Sequence, residues 1–238
     1  VFPTALLGFT LNTFQTGQVS LERVEELLSR QPLIRDPIEP EHLELPVRGE
    51  LEARNLHIRY DGSDCDTLNG LSFQIHSGEL VAVVGPVGCG KTTLARALGR
   101  MVEVPANQLF LDGHDLTNVR LKDLREQIAL VPQEGYLFTS SLADNLRYGE
   151  PEADIERVEA AAEQARLLGD VRGFPDGMNT LVGERGITLS GGQRQRTALG
   201  RALLLKAPVL VLDDALASVD NNTAAEILDS VRRQTQRT

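Results

Sequence analysis

Residues 80–101 read LVAVVGPVGCGKTTLARALGRM, and this stretch decides the fold. Leu80 to Val84 form a short apolar, β-branched run, and TTLARALGRM reads as a helix. A buried strand, a tight loop and a helix are the unit from which parallel α/β sheets are built. The loop between them, GPVGCGKT from Gly85 to Thr92, fits G-x-x-x-x-G-K-[ST] at every fixed position. Glycines at that spacing let backbone N–H groups curl around an anion. Lys91 then reaches the outer phosphates and Thr92 offers a hydroxyl to Mg²⁺. The ligand implied is a nucleoside triphosphate, held by Gly85, Pro86, Val87, Gly88, Cys89, Gly90, Lys91, Thr92 and Thr93. Cys89 stands in this loop either as a small tolerated residue or as a thiol whose pKa a helix N-terminus lowers.

Two further stretches answer this loop. PVLVL (208–212) reads as a second buried parallel strand, and it ends in paired acids, Asp213 and Asp214. Ligands in open α/β sheets sit beyond the carboxyl ends of the strands, so these carboxylates face a site unless one merely caps the next helix. LSGGQRQRTALGRALL, from Leu189, places Ser190 and two glycines at a helix start, where exposed N–H groups and the dipole favour an anion.

The rest of the chain fits an α/β domain with a helical insert. LEARNLHIRY and LSFQIHSGELVAVVG read as strands, the latter as two about Ser77 and Gly78; QLFLDG and IALVPQ read as short ones. LKDLREQ is helical, and Asp154 caps IERVEAAAEQARLL. Near the start, GQVSLERVEELLSR (17–30) reads as an amphipathic helix capped by Ser20, and four prolines make the following acidic stretch a semi-extended linker. The opening VFPTALLGFTL is apolar over about ten residues, short of the roughly 20 that span a bilayer. It reads as the end of a membrane helix or as a loose apolar tail.

Of the 238 residues, 24 are basic and 34 acidic, a net charge of −10 that disfavours nucleic acid as a partner. The two cysteines, Cys65 and Cys89, show neither metal spacing nor a disulfide framework.

With these motifs in this order, the chain resembles the nucleotide-binding domain of ABC transporters from about residue 50 onward. Gly85–Thr92 resembles the Walker A loop, Gln133 in VPQEGYLF the Q-loop glutamine, and Leu189–Gln193 the family signature. Asp213 resembles the Walker B aspartate and Ala217–Asp220 (ASVD) the D-loop; Tyr60, 25 residues before Gly85, stands where the family stacks an aromatic on adenine. The resemblance implies a P-loop ATPase fold: a parallel-sheet core, an antiparallel β subdomain and an inserted helical subdomain at about 134–188. It implies ATP and Mg²⁺ as cofactors, with the metal held by Thr92, Gln133 and Asp213. It also implies a head-to-tail dimer in which Ser190, Gly191, Gly192 and Gln193 of one domain face ATP on the other.

VGERG (182–186), FTSSLADNLRYG (138–149) and FPDGMNT (174–180) resemble exporter-type domains. Residues 1–31 are then the cytoplasmic end of a transmembrane-domain helix, 32–49 the linker and 50–238 the nucleotide domain at the cytoplasmic face of a membrane. Chromosome-maintenance ATPases share the same motifs but add long heptad inserts and basic DNA-facing patches. The arginines Arg194, Arg196 and Arg201 read instead as a solvated helix face.

Two departures stand out. Most of the family has Glu after the Walker B aspartate, and here it is Asp214, one methylene shorter. With Gln133 and Lys91, Asp214 makes up the catalytic set. A general base must reach hydrogen-bond distance of its proton, so the expectation is a site that binds ATP and hydrolyses it slowly. Heterodimeric exporters pair such a domain, its own LSGGQ intact, with one that has Glu; a homodimer in which Asp suffices is the alternative, as is a regulatory or scaffold module that binds ATP without useful hydrolysis. The second departure is the family's switch histidine: none of His42, His57, His76 and His114 stands in its place. The chain ends at Thr238, before the strand that would carry it, which predicts a sheet short of a strand and at best a weak ATPase.

Overall fold

The computed structural model describes residues 2–183 and 189–233. The chain divides into two compact units, residues 1–35 and 36–238. The first holds one long helix, α1 (Phe2–Ser29). Ser20 does not cap it. Ser20 lies inside the helix and gives its hydroxyl to the Thr16 carbonyl at 2.8 Å, as Thr10, Thr13 and Thr16 do one turn back along the chain. Back-bonding of this kind lets hydroxyl residues sit within a helix that starts earlier than its cap signal suggests. Among the described residues no helix is long and apolar enough to cross a membrane.

The second unit opens with a segment, Asp36–Arg48, that is fastened rather than loose. Asp36 accepts the Leu121 N–H at 2.6 Å, and Glu41 bonds the Asn118 amide at 3.0 Å and approaches His114 at 3.3 Å. Asp112, with φ of 49°, accepts from the N–H groups of Arg48 and Glu50.

An antiparallel sheet follows, in the order β2-β1-β3-β4, from β1 (Leu51–Ile58), β2 (Leu68–Ile75), β3 (Leu109–Leu111) and β4 (His114–Asp115). β1 turns Leu51, Ala53, Leu56 and Ile58 inward. The three-residue step from Ala53 to Leu56 is possible because Asn55, at φ 49°, is an extra bulge residue whose N–H goes to Ser72 Oγ. This face packs on α2 (Lys91–Leu98) and α3 (Leu121–Gln127) around Leu111 and Leu124, both fully buried. Leu111→Ala is expected to lower stability by about 2–5 kcal/mol, read by denaturant unfolding; a smaller loss would mean that this core can collapse around the gap.

The parallel part is β5 (Ile128–Val131) beside β8 (Val209–Leu212), paired from Ile128↔Val209 to Val131↔Leu212. The strand expected over Leu80–Val84 has no regular structure. Its Leu80, Val81, Val83 and Val84 are between half and nearly fully exposed. A β-branched run becomes a strand only when a neighbour offers a ladder, and among the described residues none pairs with it.

The helical insert comprises α4 (Leu142–Leu146), α5 (Ile155–Gln164) and α6 (Leu168–Val171). A short ribbon, β6 (Ser140–Ser141) on β7 (Leu181–Val182), closes it around its own core, from Leu137 to Leu189. Asp154 caps α5 by accepting the Arg157 N–H at 2.8 Å. Helix α7 (Gly191–Leu204) lies between this core and that of β5 and β8: Leu204 belongs to the first, Ala198, Leu199 and Leu203 to the second. After β8 the chain continues into α8 (Asn221–Arg233), whose Ile227 is fully buried.

Candidate functional site

The loop at 85–92 takes its shape from two glycines in left-handed backbone. Gly88 has φ 82° with open space where a Cβ would stand, and Gly90 has φ 94°. A Cβ on Gly90 would lie 2.9 Å from the Thr67 carbonyl oxygen and 2.7 Å from Leu68 Cδ2, so this position is closed to any side chain. Lys91 folds back along the loop, its Nζ donating to the Gly85 and Pro86 carbonyls, each at 2.8 Å, with Cys89 Sγ at 3.8 Å. Those carbonyls are the acceptors that phosphate oxygens would replace.

Thr92, on the first turn of α2, gives its hydroxyl to Asp213 Oδ1 at 2.9 Å. Asp213 is fixed there because its own N–H continues the β8 ladder to the Val131 carbonyl at 2.9 Å. Two motifs 121 residues apart thus meet in one hydrogen bond. A hydroxyl and a carboxylate at the mouth of a phosphate loop are hard oxygen donors, which suits Mg²⁺. Asp214 follows with φ 52°, a left-handed conformation that Asp tolerates better than most residues. Its Oδ2 accepts from Gln133 Nε2 at 3.3 Å. Tyr60 OH lies 3.2 Å from Thr93 Oγ1, which brings the ring to the same end of α2. Hydrogen bonds thus tie Tyr60 to Thr93, Thr92 to Asp213 and Gln133 to Asp214, where α2 begins and β8 ends.

The signature forms a second, separate surface. Ser190 caps α7 in a complete capping box: its Oγ accepts the Gln193 N–H at 3.2 Å, and Gln193 Oε1 accepts the Ser190 N–H at 2.9 Å. Residues 217–220 pack directly on it. Gln195 Oε1 accepts the Ser218 N–H at 2.8 Å, and a Cβ on Gly192 would lie 2.8 Å from the Ser218 carbonyl oxygen. Asp220 caps α8, and the N–H groups led by that of Thr223 hold its carboxyl below the usual carboxylate range.

Both halves of this arrangement match a known family. The family model described as ABC transporter matches residues 68–217. The chain belongs to the ABC transporter family. The ABC domain is 40% identical over 237 residues to an ATP-dependent lipid A-core flippase of Aromatoleum aromaticum, covering 98% of this chain and 39% of that protein. It is 34% identical over 232 residues to a probable multidrug resistance ABC transporter ATP-binding/permease protein of Bacillus subtilis, again 98% against 39%. A bacterial Atm1-family ABC exporter with ATP bound superposes with a TM-score of 0.90 at 33% identity, over 98% of this chain and 40% of that one. The chain thus has the ABC ATPase fold, it is the ATP-binding part of the family's architecture, and it spans about two fifths of these relatives' length.

Sequence reading misjudged one surface of the ABC domain. Arg196 and Arg201 are not a solvated face. Arg196 Nη2 meets Asp170 Oδ2 at 2.9 Å, and Arg201 gives Nε to the Asn145 carbonyl at 2.9 Å and Nη1 to that of Tyr136 at 3.0 Å. Burial pulls the Arg201 pKa below its ordinary value, and the Tyr148 and Phe138 rings lie within 5.3 and 5.8 Å of its guanidinium. The reason is α7 itself: with a core on either side, few of its positions are left for water. Asp170 and Gln195 were missed because nothing in a local pattern distinguishes them from surface polar residues. Of VGERG, residues 184–186 lie outside the described residues.

Proposed function

We propose that this ABC domain binds ATP with Mg²⁺ and drives the membrane part of an exporter, while its own site turns over slowly. The observation that carries the reading is the Thr92–Asp213 hydrogen bond, which joins the phosphate loop to a strand-end carboxylate with Asp214 beside it. Gly85 to Thr93 would hold the phosphates, Tyr60 the adenine, and Thr92, Gln133 and Asp213 the metal. Bound Mg²⁺ supplies electrostatic stabilisation of the phosphate charge. Lys91 exchanges two loop carbonyls for phosphate oxygens, and the loop N–H groups complete the cradle. Asp214 positions the attacking water and accepts its proton, at a reach one methylene short of a glutamate.

Ser190, Gly191, Gly192 and Gln193 would close over ATP held by a second domain, and a heterodimer partner with Glu would hydrolyse at that shared site. Residues 1–31 would be the cytoplasmic end of a transmembrane-domain helix, 32–49 the link to it, and 50–238 the nucleotide domain, with about 134–188 as its helical part. The likeness to a Bacillus ATP-binding/permease protein supports a membrane part in the same polypeptide.

The test is steady-state ATPase activity of the transporter carrying this domain, purified without a second kind of subunit, beside its Asp214→Glu variant. The expected result is a slow parent and a variant at least about tenfold faster, since misplacing a base by about 1 Å is worth on the order of 10²-fold. A parent as fast as the variant would establish a homodimer in which Asp suffices. Undiminished ATP binding with neither form hydrolysing would favour the regulatory module, the reading to which Asp214 in place of Glu points.

A further inference from the structure

Gln193 closes the capping box with Oε1, which leaves the two hydrogens of Nε2 to be answered from elsewhere. Asp170 answers one of them: its Oδ1 accepts from Gln193 Nε2 at 3.0 Å, while Oδ2 takes Arg196 Nη2 at 2.9 Å. Asp170 comes from the helical insert, on the single turn of α6, between Leu167 and Val171, which are both buried. Arg196 is anchored in turn, giving Nη1 to the Arg166 carbonyl at 2.7 Å and Nε to that of Gly192 at 3.3 Å. The side chains of Arg196 and Asp170 are only 17% and 26% exposed, so the pair is shielded from most of the solvent that weakens surface ion pairs.

We infer that Asp170 is a positioning residue for the signature, acting through Gln193 to fix the backbone and hydroxyl of Ser190 at the start of α7. An ionised carboxylate only accepts hydrogen bonds, whereas an amide has one end that accepts and one that donates. Asp170 therefore requires Gln193 to turn Nε2 toward it, and only that orientation presents Oε1 to the Ser190 N–H. With the amide reversed, an NH₂ group would face the Ser190 N–H, donor against donor, and the capping box would open. The helical insert thereby sets the geometry of the surface that closes over nucleotide. The inference rests on the proposed role of the signature in a shared ATP site.

The experiment compares Asp170→Asn, Asp170→Glu and Ser190→Ala in the intact transporter with its full complement of subunits. Asn keeps the size of Asp but can donate as well as accept; Glu changes the length and stays an acceptor only. The expected result is that Asp170→Asn lowers kcat about tenfold, that Asp170→Glu loses less, and that adding Asp170→Asn to Ser190→Ala loses little more. ATP binding to this chain's own phosphate loop stays at the parent value in all three, and the melting temperature stays there in the two Asp170 variants, while Ser190→Ala loses the cap of α7 and melts lower. An Asn variant as active as the parent, a Glu variant worse than Asn, or a loss of kcat in the Asp170 variants that tracks a fall in melting temperature would overturn it. A Ser190→Ala transporter with parent kcat would remove the shared-site reading itself, and this inference with it. Loss in Ser190→Ala without loss in Asp170→Asn would remove the inference alone.

Discussion

Asp213→Asn is expected to leave ATP binding at the phosphate loop nearly intact and to lower turnover by about 100-fold. The substitution keeps an oxygen that can accept the Thr92 hydroxyl, now at 2.9 Å, and keeps the backbone bond from Asp213 to Val131, so the strand end retains its shape. What it removes is the negative charge beside the hydroxyl. Mutating residues that merely orient a metal's ligands typically costs 10–100-fold in affinity or activity, and the proposed place of Asp213 at the metal, directly or through water, puts it at the upper end of that range. The check is a Mg²⁺ titration of ATPase activity in the complete transporter, with a melting curve alongside. Turnover restored by millimolar Mg²⁺ would mean that the charge tunes affinity alone; unchanged turnover at low Mg²⁺ would remove Asp213 from the metal site.

Gly90→Ala should do more damage than Gly88→Ala, although both glycines lie in left-handed backbone, at φ 94° and 82°. Left-handed conformation costs an L-residue roughly 1–2 kcal/mol, and Gly88→Ala adds no clash because its Cβ position is open. At Gly90 the new methyl meets the Thr67 carbonyl oxygen at 2.9 Å, a backbone atom close to where β2 begins. Overpacking of that kind adds roughly 1–3 kcal/mol. A total loss of about 2–5 kcal/mol is expected, with ATP binding gone because the loop can relieve the overlap only by opening. Denaturant unfolding and nucleotide binding of the two variants decide it, and equal effects would show that backbone strain alone governs the loop.

The features legible in the sequence are those that impose themselves locally. The phosphate loop needs glycine where φ is positive, the signature needs a cap, and Asp213 stands where an apolar run stops; each leaves a fixed spacing in the chain. Residues whose partners come from a distant element leave none. Asp170 is one acid among 34, and only the packing of the helical insert against α7 sets it opposite Gln193 and Arg196. Arg201 looks like a solvent arginine until its helix is found between two cores, where carbonyls and ring faces replace water. Leu80–Val84 has the composition of a strand, yet a strand also requires a neighbour. Ser20 carried a true cap signal at the wrong place, since the helix had already begun at Phe2.

The contact between Ser218 and Gly192 bears on how such a domain can change over evolutionary time. A site that hydrolyses poorly would ordinarily be free to accumulate substitutions. Here the segment leaving Asp214 also packs against the signature: Gln195 holds Ser218, and the Ser218 carbonyl leaves no room for a side chain on Gly192. In the proposed heterodimer, drift at Ala217, Ser218 or Val219 would be felt by the partner's nucleotide before it was felt by this chain's own. On that proposal, selection on one pocket preserves the other, and a slow half would persist in a family of active ones with nearly every motif unchanged.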